Sequence, residues 1–423
     1  MPTVALSFGI LILLAVPSLE WRQASDFLSV TTESDPTLFS APTSLLQGKI
    51  PAAEIPQARK ALRILYNHKD ELSPETARRA ALLGFAIQDY RTGLSFADHS
   101  LSQSPQDPQL LMVRGLLDYA SGYYPSATAD LQESKKLTPG TGGATEFVAA
   151  LNTNLGLSLG GRGAVTNNQS DYESALRHLE EGAAAYAKLG NREQEATNKL
   201  DEAEVLVTYG RYADAHDAIE RAASIFQELR DENGGAQVEI AIGRLILKEA
   251  SGQFLQDNDA ARAASIAARA REHLERALAI SQRTEYRLGI ADAKNALCVF
   301  WTVTGNEADW PNAARNCQEA AAIYSSIGNR RGEANALGNL GNVLRNQKQY
   351  NRALESLSRS LKIDQEIGFE LGVGRQLFNL GRCYSELGEK EKARKRVMEA
   401  QQVFRRVGAA YELAGADKFL KEM

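Results

Sequence analysis

The sequence predicts an all-α solenoid, a row of antiparallel helix pairs stacked side by side and ended by a capping helix. Three observations carry this. Of 12 prolines, eleven lie at or before Pro139, so Pro311 alone serves the remaining 284 residues. Proline removes a backbone donor and clashes inside a helix, so a long stretch nearly without it is free to be helical throughout. Next, an Ala recurs with an apolar residue four positions on and a small one seven positions on: Ala127/Leu131/Ser134, Ala175/Leu179/Gly182, Ala215/Ile219/Ala222, Ala270/Leu274/Ala277, Ala313/Cys317/Ala320, Ala353/Leu357/Ser360 and Ala393/Val397/Ala400. That spacing lays each set along one helical stripe. Finally, Asn-Leu-Gly appears three times upstream of these sets, at Asn154–Gly156, Asn339–Gly341 and Asn379–Gly381. A glycine inside a helix costs about 1 kcal/mol against Ala. Its repetition at one register points to a neighbouring helix that comes close.

Composition narrows the function classes. With 423 residues, 24% charged and 43% apolar, the chain is neither disordered nor a polytopic membrane protein. The 48 basic residues against 53 acidic ones leave a net charge of −5, without the basic excess that nucleic-acid binding requires, so no nucleic-acid partner is expected. Cys298, Cys317 and Cys383 are odd in number and too few for a disulfide framework. They read as small buried hydrophobes. Five histidines on separate stretches argue against a zinc site, and no metal or cofactor is expected.

Along the chain, residues 1–20 hold the apolar run Val4 to Val16, which is too short for a ~20-residue membrane span and matches a signal-peptide core. No Lys or Arg precedes it, and Val16-Pro17-Ser18 fits a cleavage site loosely. The segment reads as a signal peptide or membrane anchor, giving an exported or tethered protein. The other reading is a buried helix or a wrong start codon, with a cytoplasmic product. Residues 21–49 are polar and proline-interrupted, a flexible tether. Residues 50–141 carry units 34 residues long, since Tyr90 to Tyr124 and Pro105 to Pro139 both span that distance, with 50–72 as a partial first unit. In residues 142–408 the spacing lengthens to 40 between Ala175 and Ala215 and again from Ala313 to Ala353 to Ala393, with insertions near 160–170, 251–262 and 305–311. Turns such as Lys188-Leu189-Gly190-Asn191 and Ser326-Ile327-Gly328-Asn329 close these units, Gly supplying a left-handed terminator. The unit around Ala270 lacks the aromatic that stands three residues before the Ala elsewhere (Tyr124, Tyr172, Tyr212, Trp310, Tyr350), and Gly243 is its best match to the Leu-Gly position. Residues 409–423 form the cap.

These residues resemble the tetratricopeptide repeat (TPR) family, whose unit is a helix–turn–helix with Leu-Gly on the first helix and an aromatic then Ala opening the second. The longer units are similar to those of kinesin light chains, spindle-orientation adaptors and arrays joined to CHAT proteases. The resemblance covers about residues 74–408. It implies a right-handed superhelix of about eight units, with first helices lining a concave face that binds other proteins.

On that face, the first helix around Gly341 presents Asn335, Asn339 and Asn342, extended by Arg345; one unit on, the register gives Arg375, Asn379 and Arg382, and Asn154 matches Asn339 and Asn379. A carboxamide can donate to and accept from one peptide bond, and Arg can grip a carboxylate with two donors. The family resemblance implies that such residues hold an extended ligand, here an acidic or carboxylate-ended segment of a partner protein. The competing reading has the Asn side chains bonding neighbouring helices and the Arg side chains keeping the face soluble.

Other motifs are set aside. Gly156-Leu157-Ser158-Leu159-Gly160 fits the nucleophile-elbow spacing but falls on a repeat helix rather than a strand-to-helix turn. Gly372-Val373-Gly374 has Leu377 where a dinucleotide fingerprint needs its third glycine. The expected function is a non-enzymatic scaffold that binds a partner segment in the concave groove. The alternative is the sensor arm of a signalling system whose effector is a separate protease or kinase.

Overall fold

The computed structural model describes residue 50 and residues 52–138, 145–257, 260–303 and 309–423. The apolar run and the tether lie outside these residues. Among the described residues no helix is long and apolar enough to cross a membrane.

The described chain is an all-α solenoid. A leading helix α1 (Ile55–Asn67) and a short 3-10 turn precede eight helix pairs: α2 (Pro74–Ala86) with α3 (Tyr90–Gln103), α4 (Pro108–Ser121) with α5 (Tyr124–Leu137), α6 (Glu146–Thr166) with α7 (Gln169–Leu189), and α8 (Arg192–Thr208) with α9 (Tyr212–Leu229). The second half has α10 (Glu232–Asp257) with α11 (Ala260–Arg283), α12 (Arg287–Val303) with α13 (Trp310–Ser326), α14 (Arg330–Asn346) with α15 (Tyr350–Ile367), and α16 (Glu370–Glu386) with α17 (Lys390–Val407). Helix α18 (Ala410–Glu422) ends the row.

One contact locks most pairs. A Cβ added to Gly115, Gly156, Gly243, Gly341 or Gly381 would stand 2.4–2.8 Å from Leu131, Leu179, Leu274, Leu357 or Val397, the residue four after the repeat Ala. The first helix therefore presses its bare backbone onto a branched side chain of the second, which is what the recurring Leu-Gly encodes. Gly243 proves to be the matching glycine of the α10/α11 pair. Seven residues after the repeat Ala, or its equivalent Gly93 in α3, a serine often ties back to its partner helix. Ser100, Ser134 and Ser360 donate to the carbonyls of Pro74, Pro108 and Ala334, each at 2.6 Å. These bonds give the fully buried serine hydroxyls their acceptors.

Glycine turns set the angle between pairs. Gly190, Gly328, Gly368 and Gly408 end second helices with φ between 72° and 78°. Arg230 and Glu285 take the same left-handed conformation at two turns that lack a glycine, with φ 55° and 54°.

In the α12/α13 pair the structure departs from the expected reading of the cysteines. Cys298 stands at the glycine position and Cys317 at the leucine position, and they form a disulfide with a Cα–Cα distance of 5.4 Å. The two bonded sulfurs fill the space a Gly–Leu contact fills elsewhere. Cys383 is buried and free.

The row curves until it meets its own start. Buried apolar side chains of α1–α7 and of α12–α18 belong to one continuous core, whereas the middle pairs hold clusters of their own. At this closure the Gln88 amide bridges two points of one turn: Nε2 donates to Asn329 Oδ1 at 3.3 Å and Oε1 accepts from the Arg331 backbone N–H at 2.8 Å. Gly122 packs on Leu371, Gly368 on the backbone of Arg91, and Gly408 on Pro125. Each is a turn glycine at positive φ, so the close approach and the turn geometry use the same residue.

Candidate functional site

Curvature decides which face is available. Successive first helices touch one another along the whole row, from α2 through α16. Among the described residues, successive second helices from α3 onward do not come as close. First helices therefore line the inner side of the bend, and side chains not needed for pairing point into it.

The eight residues singled out by sequence fall into three groups. Asn154 lies apart from the other seven: it is 2% exposed, its Nδ2 donates to the Ala150 carbonyl one turn back at 2.8 Å, and its buried Oδ1 has no partner. Asn339 is half-buried and donates to Asn295 Oδ1 on the preceding first helix at 3.0 Å, a side-chain link across α12 and α14. Asn335 is exposed, and exposed Arg375 is held by Glu412 of the capping helix, Nη2 to Oε1 at 2.6 Å.

The remaining four converge where α14 and α16 lie side by side. Arg345 is 8% exposed, yet its Nε and Nη1 donate to nothing within hydrogen-bond reach. Its Nη2 makes a long 3.4 Å bond to Asn346 Oδ1, and Glu386 Oε1 stands 3.5 Å from Nε. Asn342, one turn before Arg345 on the same face, has a buried Oδ1 with no partner. Arg382, across on α16, is pushed below the usual guanidinium range by burial and by the positive charge of Arg345, with Glu386 opposing. Asn379 sits half-buried one turn before Arg382. Two guanidinium groups thus share one carboxylate in a partly dehydrated corner, with donors and an acceptor left over. Leaving a buried donor unsatisfied costs roughly 1–3 kcal/mol, more for a charged group. A carboxylate placed between Arg345 and Arg382 would relieve both the repulsion and the missing acceptors.

Motifs set aside on sequence have structural roles. Ser158 lies inside α6, and its Oγ is within 2.8 Å of Thr128 Oγ1, packing rather than nucleophile geometry. Gly374 near the start of α16 lets Phe404 approach, its added Cβ falling 2.5 Å from the ring. His273 meets Glu239 of the paired helix at 2.7 Å, and His178 lies 3.3 Å from Glu181.

Helix pairs locked by glycine against leucine and fanned around an inner face of first helices define a helical-repeat interaction solenoid. Residues 307–366 and 332–406 match the tetratricopeptide repeat family model. That stretch of the chain, α13 to α17, is similar to tetratricopeptide repeats. No curated protein matches the sequence. Among solved structures, BtubC (BKLC) from P. vanneervenii is similar at 18% identity over 58% of this chain and 92% of its own, with a TM-score of 0.43. A Rap protein complexed with competence and sporulation factor matches at 15% identity over 88% of this chain and 99% of its own, TM-score 0.46. The human IFIT1 dimer with m7Gppp-AAAA matches at 14% identity over 82% and 78%, TM-score 0.45.

Proposed function

We propose that the protein is a non-enzymatic scaffold whose inner face, at the α14/α16 step, holds the carboxylate of an extended partner segment. The observation that carries this is the pair Arg345 and Arg382: two cations drawn together out of water with one shared counter-charge and guanidinium donors unused. Arg345 and Arg382 bind the carboxylate, and Asn342 and Asn379 are placed one turn earlier to bond the peptide backbone. Asn339 orients the corner through Asn295, and Asn335 and Arg375 extend the contact along the segment. The coarser statement, a repeat scaffold for protein partners, fits the family. The acidic or carboxylate-ended character of the segment is read from the charge of the corner.

The test is a peptide array of acidic sequences with free carboxylate or amidated ends, probed with the full chain and with an R345Q/R382Q variant. Carboxylate-ended members should bind at least tenfold better than their amides, and the variant should lose that preference. Equal binding of acid and amide ends, or an unchanged variant, would refute the assignment.

A further inference from the structure

The closure of the row leaves an open-sided cavity of about 330 Å³ between the first four pairs and the start of α14. Its walls are polar and apolar in about equal parts, the apolar part from Leu157, Val205 and Phe85 and from the side chains of Tyr119 and Tyr124. Into it faces Asp201 of α8, whose Oδ2 is buried and has no hydrogen-bond partner. Glu204, one turn further along the same helix, lies exposed at the margin. The single cation in the lining is Arg331, and it is already engaged: Nη1 donates to the Ala120 carbonyl at 3.3 Å and the guanidinium stacks 4.2 Å from the centroid of Phe369. No ion pair joins Arg331 to Asp201 or Glu204 among the described residues. The cavity therefore offers an unmatched carboxyl group, a second acid at its margin and two aromatic side chains.

We infer that this cavity binds an alkylammonium or guanidinium group, with Asp201 as its counter-ion and the Tyr119 and Tyr124 rings packed along it. A cation answers three features at once. It supplies the donor that Asp201 Oδ2 lacks. It gains from the electron-rich ring faces. It brings a hydrocarbon stem that Leu157, Val205 and Phe85 can cover. An anion would have to enter beside the two acidic side chains, Asp201 and Glu204, with Arg331 the one cation in the lining. The volume lies at the lower end of the range for small-molecule sites, room for one arginine-sized group and a few atoms more.

Proton linkage supports the same reading. Burial, helped by Glu204, pushes the Asp201 carboxyl up to about 8, so near neutrality it holds a proton. An arriving cation favours the carboxylate and expels that proton, so binding strengthens as pH rises. The other charged or titratable groups facing Asp201 are Glu204 on α8, Tyr119 and Tyr124 on α4 and α5, Tyr186 on α7 and Arg331 on α14. Burial pushes Tyr119 and Tyr186 upward, and Arg331 is raised as well, so these three keep their protons through this range.

The experiment is a ligand-observed NMR titration of the full chain with n-butylamine, n-butylguanidine and the neutral analogue n-pentanol, at pH 6, 7 and 8. The cations should bind at least tenfold better than pentanol at pH 8, with affinity rising several-fold from pH 6. Asp201→Asn should remove both the preference and the pH dependence while leaving the helical circular dichroism unchanged. A third arm, an arginine tripeptide against its citrulline counterpart, distinguishes sources. Binding of the arginine form assigns a peptide side chain, and binding of the free amines alone assigns a small molecule; either supports the inference. Pentanol binding as well as butylamine, which needs no variant to measure, would overturn it. So would cation affinity that Asp201→Asn leaves intact.

Discussion

Cys298 and Cys317 join α12 to α13 at the two positions where five other pairs set a glycine against a leucine or valine. A contact held elsewhere by close packing is held here by a covalent bond, next to a stretch where the pair carries an insertion. A bridge across 19 residues restricts the unfolded chain by about 3 kcal/mol on loop entropy.

Reduction should accordingly destabilise the chain by about 3 kcal/mol. The double substitution C298G/C317L restores the packing of the other pairs and should be insensitive to reductant. Urea unfolding with and without a phosphine reductant gives both numbers. Cys383, its thiol pushed up to about 11 by burial and by Glu386, should react with a disulfide reagent only after unfolding. Three free thiols in unreduced, denatured protein would dispose of the bridge.

Two glycine-to-alanine changes should move stability in opposite directions. At Gly156 an added Cβ lies 2.6 Å from Leu179 Cγ and 2.9 Å from the Ala175 carbonyl, backbone that cannot step aside. Gly156→Ala should cost about 1–3 kcal/mol despite the helix propensity gained. At Gly235, in the first turn of α10, nothing stands within 4 Å of the new atom. Gly235→Ala should stabilise by about 0.5–1 kcal/mol. Thermal melts of the two variants beside the parent chain decide the signs.

Arg331 is the clasp of the closure. Its backbone N–H is bonded by Gln88 and its guanidinium reaches Ala120 and Phe369, so one residue touches both ends of the row. Arg331→Ala should release the first two pairs from α14 and α16 without melting helices. Small-angle scattering should then show a larger radius of gyration at unchanged far-UV circular dichroism. If the radius stays the same, the shared apolar core alone holds the ends together.

Local packing was legible in the sequence and long-range packing was not. The Ala sets and the Asn-Leu-Gly repeats fix helix pairs because each records a contact between residues close along the chain, Gly341 lying 12 residues before Ala353 and Gly381 12 before Ala393. Cys298 lies 15 residues before Ala313, and that three-residue offset hid a cysteine at the glycine register. Arg331 and Asp201 carried no signal at all. Their significance arises from curvature, which brings residues more than 200 positions apart into contact through many small turn angles. For the α14/α16 corner, register placed Asn342, Arg345, Asn379 and Arg382 on one face, but only the structure separates them from Asn339 and Asn154, whose amide nitrogens donate to Asn295 and to the Ala150 carbonyl.

Stability should depend on pH through Asp201. An ordinary Asp loses its proton near 3.9 in the unfolded chain, whereas in the folded protein burial and Glu204 hold it to about 8. Between these values the folded state carries a proton that the unfolded state lacks. This contribution is therefore fully present below pH 4, declines as pH rises and levels off above about 8. Asparagine cannot ionise, so Asp201→Asn should match the parent near pH 4 and exceed it by at least about 1 kcal/mol at pH 8. Other groups titrate alike in both proteins, so the difference between two urea curves at each pH isolates this one carboxyl. Equal stability at pH 8 would mean that Asp201 is solvated and charged, and its cavity open to water.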